Sequence, residues 1–262
     1  MTTSSTDKEW EKLGRDNPYY GVVSMDRFKN SAMDEQAFAD FFQSGEDHVS
    51  FVQDTLTQAF GDEPGKERAL DFGCGVGRLA LPLAKRYARV TGVDISPSML
   101  QEAKKNAEKF GQQNLEWIST LDDLSASDRF DLIHCFIVFQ HIRPPAGYRI
   151  VQQLLDHLEE GGVGALQFLY KRQTSSLVRF LGWCRAHVPL FHPLINLVYG
   201  KPWNEPLMEK NVYNLNHILY LLEQAGCGDV RVRFQGNDAL RNIFLFFRKK
   251  PAPVPYDEFY NS

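Results

Sequence analysis

The sequence lacks any apolar run near the ~18 residues that a membrane-spanning helix needs, so no stable membrane insertion is expected. Its first residues, MTTSSTDKEWEKLG, lack the apolar core of an export signal, so no export is read. Cysteine is sparse: Cys74, Cys135, Cys184 and Cys227 lie far apart, and no CxxC pair occurs. That spacing argues against a zinc site and a disulfide framework and fits reduced thiols in the cytoplasm. A basic excess is also missing. With 29 Lys and Arg against 33 Asp and Glu, the net charge is −4, which speaks against a nucleic-acid partner. No His/Cys cluster or closely spaced carboxylate set reads as a metal site, and there is no internal repeat or low-complexity tract. What is present is 262 residues, 43% hydrophobic and 24% charged, the make-up of a globular protein with one large domain or two small ones.

Residues 1–65 read as a helical extension. Asn17-Pro18 and Gly21 interrupt it. Phe38, Phe41, Phe42, Val49, Val52, Leu56 and Phe60 then recur at helical spacing, with a break expected at Ser44-Gly45. From Ala69 the pattern alternates. Strands are expected near 69–73, 89–94, 114–118 and 130–136, and helices near 77–87, 97–110 and 146–159. A fifth strand, GGVGALQFLYK, follows a Gly-Gly break. This order predicts an α/β fold, a parallel sheet with helices on both faces. Residues 172–210 depart from it, being aromatic-rich and broken by Pro189, Pro193, Pro202 and Pro206. A helix over 213–225 and two hairpin-joined strands bring the expected domain, 66–250, to its end. Residues 251–262 form a proline-rich tail.

The segment DFGCGVGR carries glycines at 73, 75 and 77. Glycine tolerates positive φ and lets a ligand approach the backbone. The helix expected to follow would point free N–H groups at the same place, which suits an anionic group. Asp94 ends the next strand, where a carboxylate can accept hydrogen bonds from ribose hydroxyls. These features describe a nucleoside ligand on a Rossmann-like sheet. The sixth position of the dinucleotide fingerprint, normally glycine or alanine, is Arg78, and no Gly-Lys-Ser/Thr ending marks a phosphate-binding P-loop.

With these details the sequence resembles the class I S-adenosylmethionine (SAM)-dependent methyltransferases. LDFGCGVGRL is similar to their first motif, GVDISPSMLQEAKKNA to their ribose-binding strand and helix, and FDLIHCFIVFQHI to their fourth-strand motif. The matches fall in the family's order over roughly 69–142. The resemblance implies a seven-stranded, mostly parallel sheet with an antiparallel final strand, SAM as cofactor and S-adenosylhomocysteine (SAH) as product. It also implies roles. Gly73, Gly75 and Gly77 would let the methionine part and sugar lie against the turn, with Cys74 a small filler. Asp71 would sit near the ligand's ammonium and Asp94 would hold the ribose. Ile95 and Met99 would flank the adenine, or else pack the core. Arg78 would reach the SAM carboxylate, or else pair with an acid. Many relatives place an Asp at the end of the third strand. Here Thr120 and the Leu121 backbone take that place unless the strand end is shifted, and Asp122, Asp123 and Asp128 read as turn and cap residues. Cys135 and Phe136 would border the methionine moiety.

Methyl transfer from a sulfonium needs alignment and exclusion of water more than acid catalysis. A base is needed only when the acceptor must lose a proton. Gln140 and His141 follow the fourth strand at the ligand-binding edge, and His141 is the candidate base, or else a turn cap. His134, inside the strand, reads as structural. Tyr19 and Tyr20 are expected to fold over the cofactor or acceptor, or to pack. The 172–210 segment, with Phe180, Trp183, His187, Phe191, His192, Tyr199 and Trp203, is expected to be a lid over the acceptor or a helical cap with its own core. The expected activity is methyl transfer to a small molecule, with oxygen favoured over nitrogen or carbon. The rivals are an RNA or protein methyltransferase, a non-catalytic SAM-binding protein and a nucleotide-dependent oxidoreductase. The sequence is silent on oligomeric state.

Overall fold

The computed structural model describes residues 5–61, 65–173, 210–236 and 239–250, together with 181, 184, 188, 191–198, 203 and 208. The chain begins with helices α1 (Ser5–Asp16), α2 (Pro18–Val22) and α3 (Glu35–Phe60). The alternating part then runs β1 (Arg68–Phe72), α4 (Ala80–Ala84), β2 (Arg89–Val93), α5 (Pro97–Lys109), β3 (Leu115–Ile118), β4 (Phe130–Cys135), α6 (Pro144–Asp156) and β5 (Leu158–Arg172). After α7 (Phe191–Val198) come α8 (Leu215–Gln224), β6 (Asp229–Gly236) and β7 (Leu240–Arg248). The seven strands form one sheet in the order β3-β2-β1-β4-β5-β7-β6. The neighbours from β3 to β5 pair in parallel, and β7 runs antiparallel to both β5 and β6. From β1 the chain adds strands outward on one side through β2 and β3, then returns to place β4 on the other. Open α/β sheets bind ligands at the strand ends beside such a switch point.

Two apolar layers hold the helices. Val49, Val52 and Leu56 of α3 and Ala80 and Leu83 of α4 meet Ala69, Val90, Leu132, Ala165, Phe244 and Phe246 on one face. Val151, Leu154 and Leu155 of α6 and Ile218 and Leu222 of α8 meet Leu70, Ile133, Leu166 and Phe168 on the other. Burying each such side chain contributes ~1.5–3 kcal/mol. A third cluster joins Leu13, Tyr19, Phe28, Phe41 and Phe42 to Val76, Leu81 and Met99. The N-terminal helices therefore share a core with the turn after β1 and with α5.

Three expectations need correction. Helix α3 does not break at Ser44-Gly45. A Cβ on Gly45 would collide with the Arg78 carbonyl oxygen, so this glycine serves close approach of α3 to the turn rather than termination. Gly161-Gly162 lies inside β5, which begins at Leu158, and α6 stops at Asp156. The β4–β5 register shifts between Phe130 and Leu132, Gly161 has φ 77, and a Cβ on Gly162 would lie 2.8 Å from the Glu159 carbonyl oxygen. The pair forms a bulge, not a break. The helix expected from Gly77 starts only at Ala80, because left-handed Gly77 (φ 87) cannot belong to it.

Candidate active site

The turn after β1 is shaped by its glycines. Gly73 and Gly75 have φ 76 and 52, a conformation costly for residues with a side chain. A Cβ on Gly73 would strike Val138, and one on Gly75 would strike Val22. The backbone N–H groups of Gly73 and Cys74 both donate to the Val93 carbonyl, at 2.7 and 3.0 Å, tying the turn to the end of β2. Cys74 is buried, and burial pushes its thiol well above the ordinary range, as it does for Cys135. Neither suits a nucleophile. All four cysteines are free and buried.

Asp94 stands immediately beyond β2. Its Oδ2 accepts from the Gly75 N–H and its Oδ1 from the Ser96 N–H, both at 2.9 Å. A carboxylate offers about four acceptor positions, so two remain for a ligand. Burial pushes this carboxyl up to about 6, against the pull of the two N–H groups and with a smaller push from Asp71 and Glu11. Ser96 also caps α5, accepting from the Met99 N–H at 3.2 Å, and its hydroxyl donates to Glu11 Oε2 at 2.7 Å. Glu11 takes a further 2.6 Å bond from the Ser98 hydroxyl. Helix α1 is thus fastened beside Asp94.

On the other side of the switch point, β4 ends at Cys135 and the chain turns through Ile137, a β-branched residue at φ 64. Such backbone strain persists only where the surroundings enforce it. Here the Ile137 N–H donates to Gln167 Oε1 at 3.0 Å, and the same amide donates to Gln235 Oε1 at 2.9 Å. Gln140 and His141 follow, both buried, with Gln140 Nε2 3.1 Å from His141 Nε2. An amide nitrogen only donates, so His141 Nε2 carries the lone pair. Trp10 packs edge-on to the His141 ring at 5.0 Å. Consecutive residues of α1 therefore touch both sides: Trp10 meets His141, and Glu11 meets the turn beside Asp94.

The other sequence candidates fall as follows. Asp71 is buried, with Oδ1 2.9 Å from His134 Nδ1 and Oδ2 without a partner among the described residues. Arg78 is buried against α3, its guanidinium 3.4 Å from the Ser44 carbonyl oxygen, and burial lowers it to about 10 despite Asp71. Ile95 is half exposed, whereas Met99 lies in the N-terminal core, close under Gly14 and Gly21. The Tyr19 hydroxyl donates to Glu102 Oε1 or to Asn106 Oδ1, at 2.8 and 3.0 Å, so its ring sits in the α2–α3–α5 core. Tyr20 lies against the Lys29 ammonium, and the residue of this segment that meets the glycine turn is Val22. Thr120 and Asp123 cap each other's turn, Leu121 is buried, and Asp128 pairs with Arg68 at 2.7 Å. Phe136 packs on His48, with ring centroids 4.0 Å apart. Of the 172–210 segment, Phe180, Trp183, His187, Tyr199 and the His192 side chain lie outside the described residues, as does the 251–262 tail. Phe191 is half-buried on α7, and Trp203 is exposed. Sequence reasoning missed Trp10, Glu11, Val22, His48, Ile137 and Gln167. Only His48 left a trace, a histidine on the buried stripe of α3.

A glycine turn and a buried carboxylate at the switch point of a mostly parallel sheet define a Rossmann-like fold. A family profile described as "Methyltransferase domain" matches residues 69–162. The ubiquinone biosynthesis O-methyltransferase of Alkalilimnicola ehrlichii is 34% identical over 131 residues, which is 49% of this chain and 52% of that protein. The one from Methylocella silvestris is 39% identical over 82 residues, 31% and 32% of the two chains. This chain thus spans about half or less of the length of these curated relatives. Among solved structures, magnesium protoporphyrin IX methyltransferase from Synechocystis, crystallised with SAM, superposes with a TM-score of 0.57 at 19% identity, covering 95% of this chain and all of that one. An N-methyltransferase from Bradyrhizobium japonicum, crystallised with SAH, gives 0.59 at 14% identity, covering 94% and 99%. Residues 69–162 thus match a methyltransferase domain, and the chain shares the fold of SAM-dependent methyltransferases.

Proposed function

We propose that the protein transfers a methyl group from SAM to a hydroxyl oxygen of a small-molecule acceptor in the cytoplasm. The carrying observation is the juxtaposition made by α1. Two consecutive residues of this helix contact the turn beside the Asp94 carboxylate on one side and, on the other, a buried histidine whose Nε2 accepts from the Gln140 amide. The residues fit SAM. Asp94 has acceptor capacity left for ribose hydroxyls, Asp71 presents a buried, unpartnered oxygen for an ammonium, and Gly73 and Gly75 keep the turn free of side chains. When bound, SAM supplies an electrophilic methyl group on a sulfonium whose leaving group is a neutral thioether.

The protein's share of the reaction is alignment, exclusion of water and acceptance of one proton. His141 Nε2 takes the acceptor's hydroxyl proton once that hydroxyl replaces the Gln140 amide beside it. Trp10 packs edge-on to the His141 ring, and Val22 packs against the glycine turn. Just after the 172–210 segment, the Asn211 N–H donates to the Gln140 carbonyl at 2.6 Å, which ties the returning chain to the turn that carries His141. The O-methyltransferase names of the curated relatives favour oxygen. The test is calorimetric titration with SAM, SAH and NAD, followed by transfer of labelled methyl to matched panels of phenols, catechols and amines. Labelled aryl ethers are expected. Binding of NAD but not SAM would sink the cofactor reading, and labelled amines alone would sink the oxygen reading.

A further inference from the structure

A buried chain of side chains runs behind the glycine turn, and the reading above uses only its end, Asp71. Asp71 and His134 face each other on β1 and β4, at 2% and 0% exposure. Asp71 Oδ1 lies 2.9 Å from His134 Nδ1, and His134 Nε2 lies 3.0 Å from His48 Nε2 on α3. A carboxylate only accepts, so His134 carries its proton on Nδ1. In the neutral ring its Nε2 then holds the lone pair, and His48 donates from Nε2. The polarity of the chain follows: His48 donates to His134, and His134 donates to Asp71. His48 is wedged between Phe136 and Phe244, at centroid distances of 4.0 and 5.9 Å. Burial, with smaller contributions from His134 and Arg78, pushes its imidazole down to about 2, so it is neutral at neutral pH.

We propose that His48 and His134 are positioning residues of the cofactor site: His48 fixes the tautomer of His134, which holds Asp71 by one oxygen and leaves the other, Oδ2, for a cationic group of the ligand. The inference rests on the SAM reading, because the cation concerned is the ligand's ammonium. A helix of the N-terminal extension then contributes to cofactor affinity without touching the cofactor. Buried carboxylate oxygens normally have partners, and an N–H donor of the ligand supplies the one missing at Oδ2.

A merely structural role for His48 makes a different prediction. His48→Phe suits the aromatic surroundings and keeps the packing but deletes the donor, whereas His48→Gln keeps an N–H donor. With positioning, His48→Phe should bind SAH about tenfold more weakly than wild type at an unchanged melting temperature, a change of about 1.4 kcal/mol, while His48→Gln stays within about threefold. Equal affinity in all three proteins would overturn the proposal. So would losses in both variants that follow a fall in melting temperature. If His48→Phe does not fold, nitrogen-15 shifts of the wild-type histidines decide. Protons on His134 Nδ1 and His48 Nε2 support the proposal, and any other tautomer refutes it. Failure of wild-type protein to bind SAH would refute the cofactor reading, whereas wild-type binding with unaffected variants refutes only this inference.

Discussion

Replacing Asp94 by Asn separates binding from stability at one position. The carboxyl is raised from its ordinary 3.8 to about 6 in the fold, chiefly by burial. A carboxylate whose folded pKa is raised weakens the fold above that pKa, and the penalty is relieved as pH falls through about 6 towards 3.8. Two units correspond to about 3 kcal/mol at neutral pH. Asn removes that penalty, but its NH2 must face either the Gly75 or the Ser96 N–H, which now meet two oxygens. An orphaned donor costs about 1–3 kcal/mol. The two effects offset, so the melting temperature of the free protein near pH 8 should change little. SAM binding should not be spared. Loss of charge-assisted bonds to ribose hydroxyls costs about 1.5–3 kcal/mol, on the order of ten- to a hundredfold in Kd. Wild-type affinity should also fall on acidification through about pH 6, approaching tenfold per unit, and this dependence should vanish in Asp94→Asn. Calorimetry with SAH between about pH 5 and 8, paired with thermal melts, reads both quantities. A variant that binds within twofold of wild type near pH 8, or a wild-type affinity flat across this range, would refute the assignment of Asp94 to the ribose.

Other expectations follow from the same geometry. His141→Ala should lower kcat on a hydroxyl acceptor by about 10²–10⁴ while SAH affinity stays near wild type; a kcat within a few-fold would remove His141 from the reaction. Gly75→Ala must hold a side chain at positive φ against Val22, so it should lose SAH binding and ~1–3 kcal/mol of stability, measurable by titration and urea melts. Gly45→Ala, tight against the Arg78 carbonyl, should lose ~1–3 kcal/mol by overpacking, and an unchanged denaturation midpoint would contradict the close approach of α3. His48 stays neutral when folded, whereas in the unfolded chain it takes a proton below about pH 6.5. Its contribution therefore weakens the fold as pH falls below that value, by up to about 1.4 kcal/mol per unit, and His48→Phe should flatten the acid limb of the stability profile.

The parts legible in sequence are those whose signal is local. Asp71, the three glycines and Asp94 follow one another within a single strand-helix-strand unit, and each residue type there is dictated by its own backbone or charge. Strands β1, β2, β4 and β5 were legible because buried parallel strands read as short apolar runs. What escaped depends on distant partners. Gly45 reads as a helix breaker until the Arg78 carbonyl is seen beside it. The Gly161-Gly162 pair reads as a break until β4 is seen to force a bulge. His134 reads as an ordinary strand residue, but its partner on α3 lies 86 positions away in sequence. Trp10 and Glu11 look like ordinary residues of a polar helix, and only the docking of α1 gives them a role.

The chain leaving β5 and the chain returning to α8 are fixed to the same small patch of scaffold. The Gln173 N–H donates to the Ala239 carbonyl, Arg172 Nη1 donates to the Lys210 carbonyl at 3.2 Å, and the Tyr213 N–H and hydroxyl reach the Leu169 and Ile142 carbonyls at 2.8 and 2.9 Å. Every one of these bonds is made by residues outside 174–209. Exit and re-entry are therefore clamped whatever sequence lies between, and loop-closure entropy grows only slowly with length. In evolutionary terms the position is a socket. A stretch of different length or chemistry grafted between Gln173 and Lys210 should leave these clamping bonds, and the strands they tie, in place, which thermal melts of the chimaera would check.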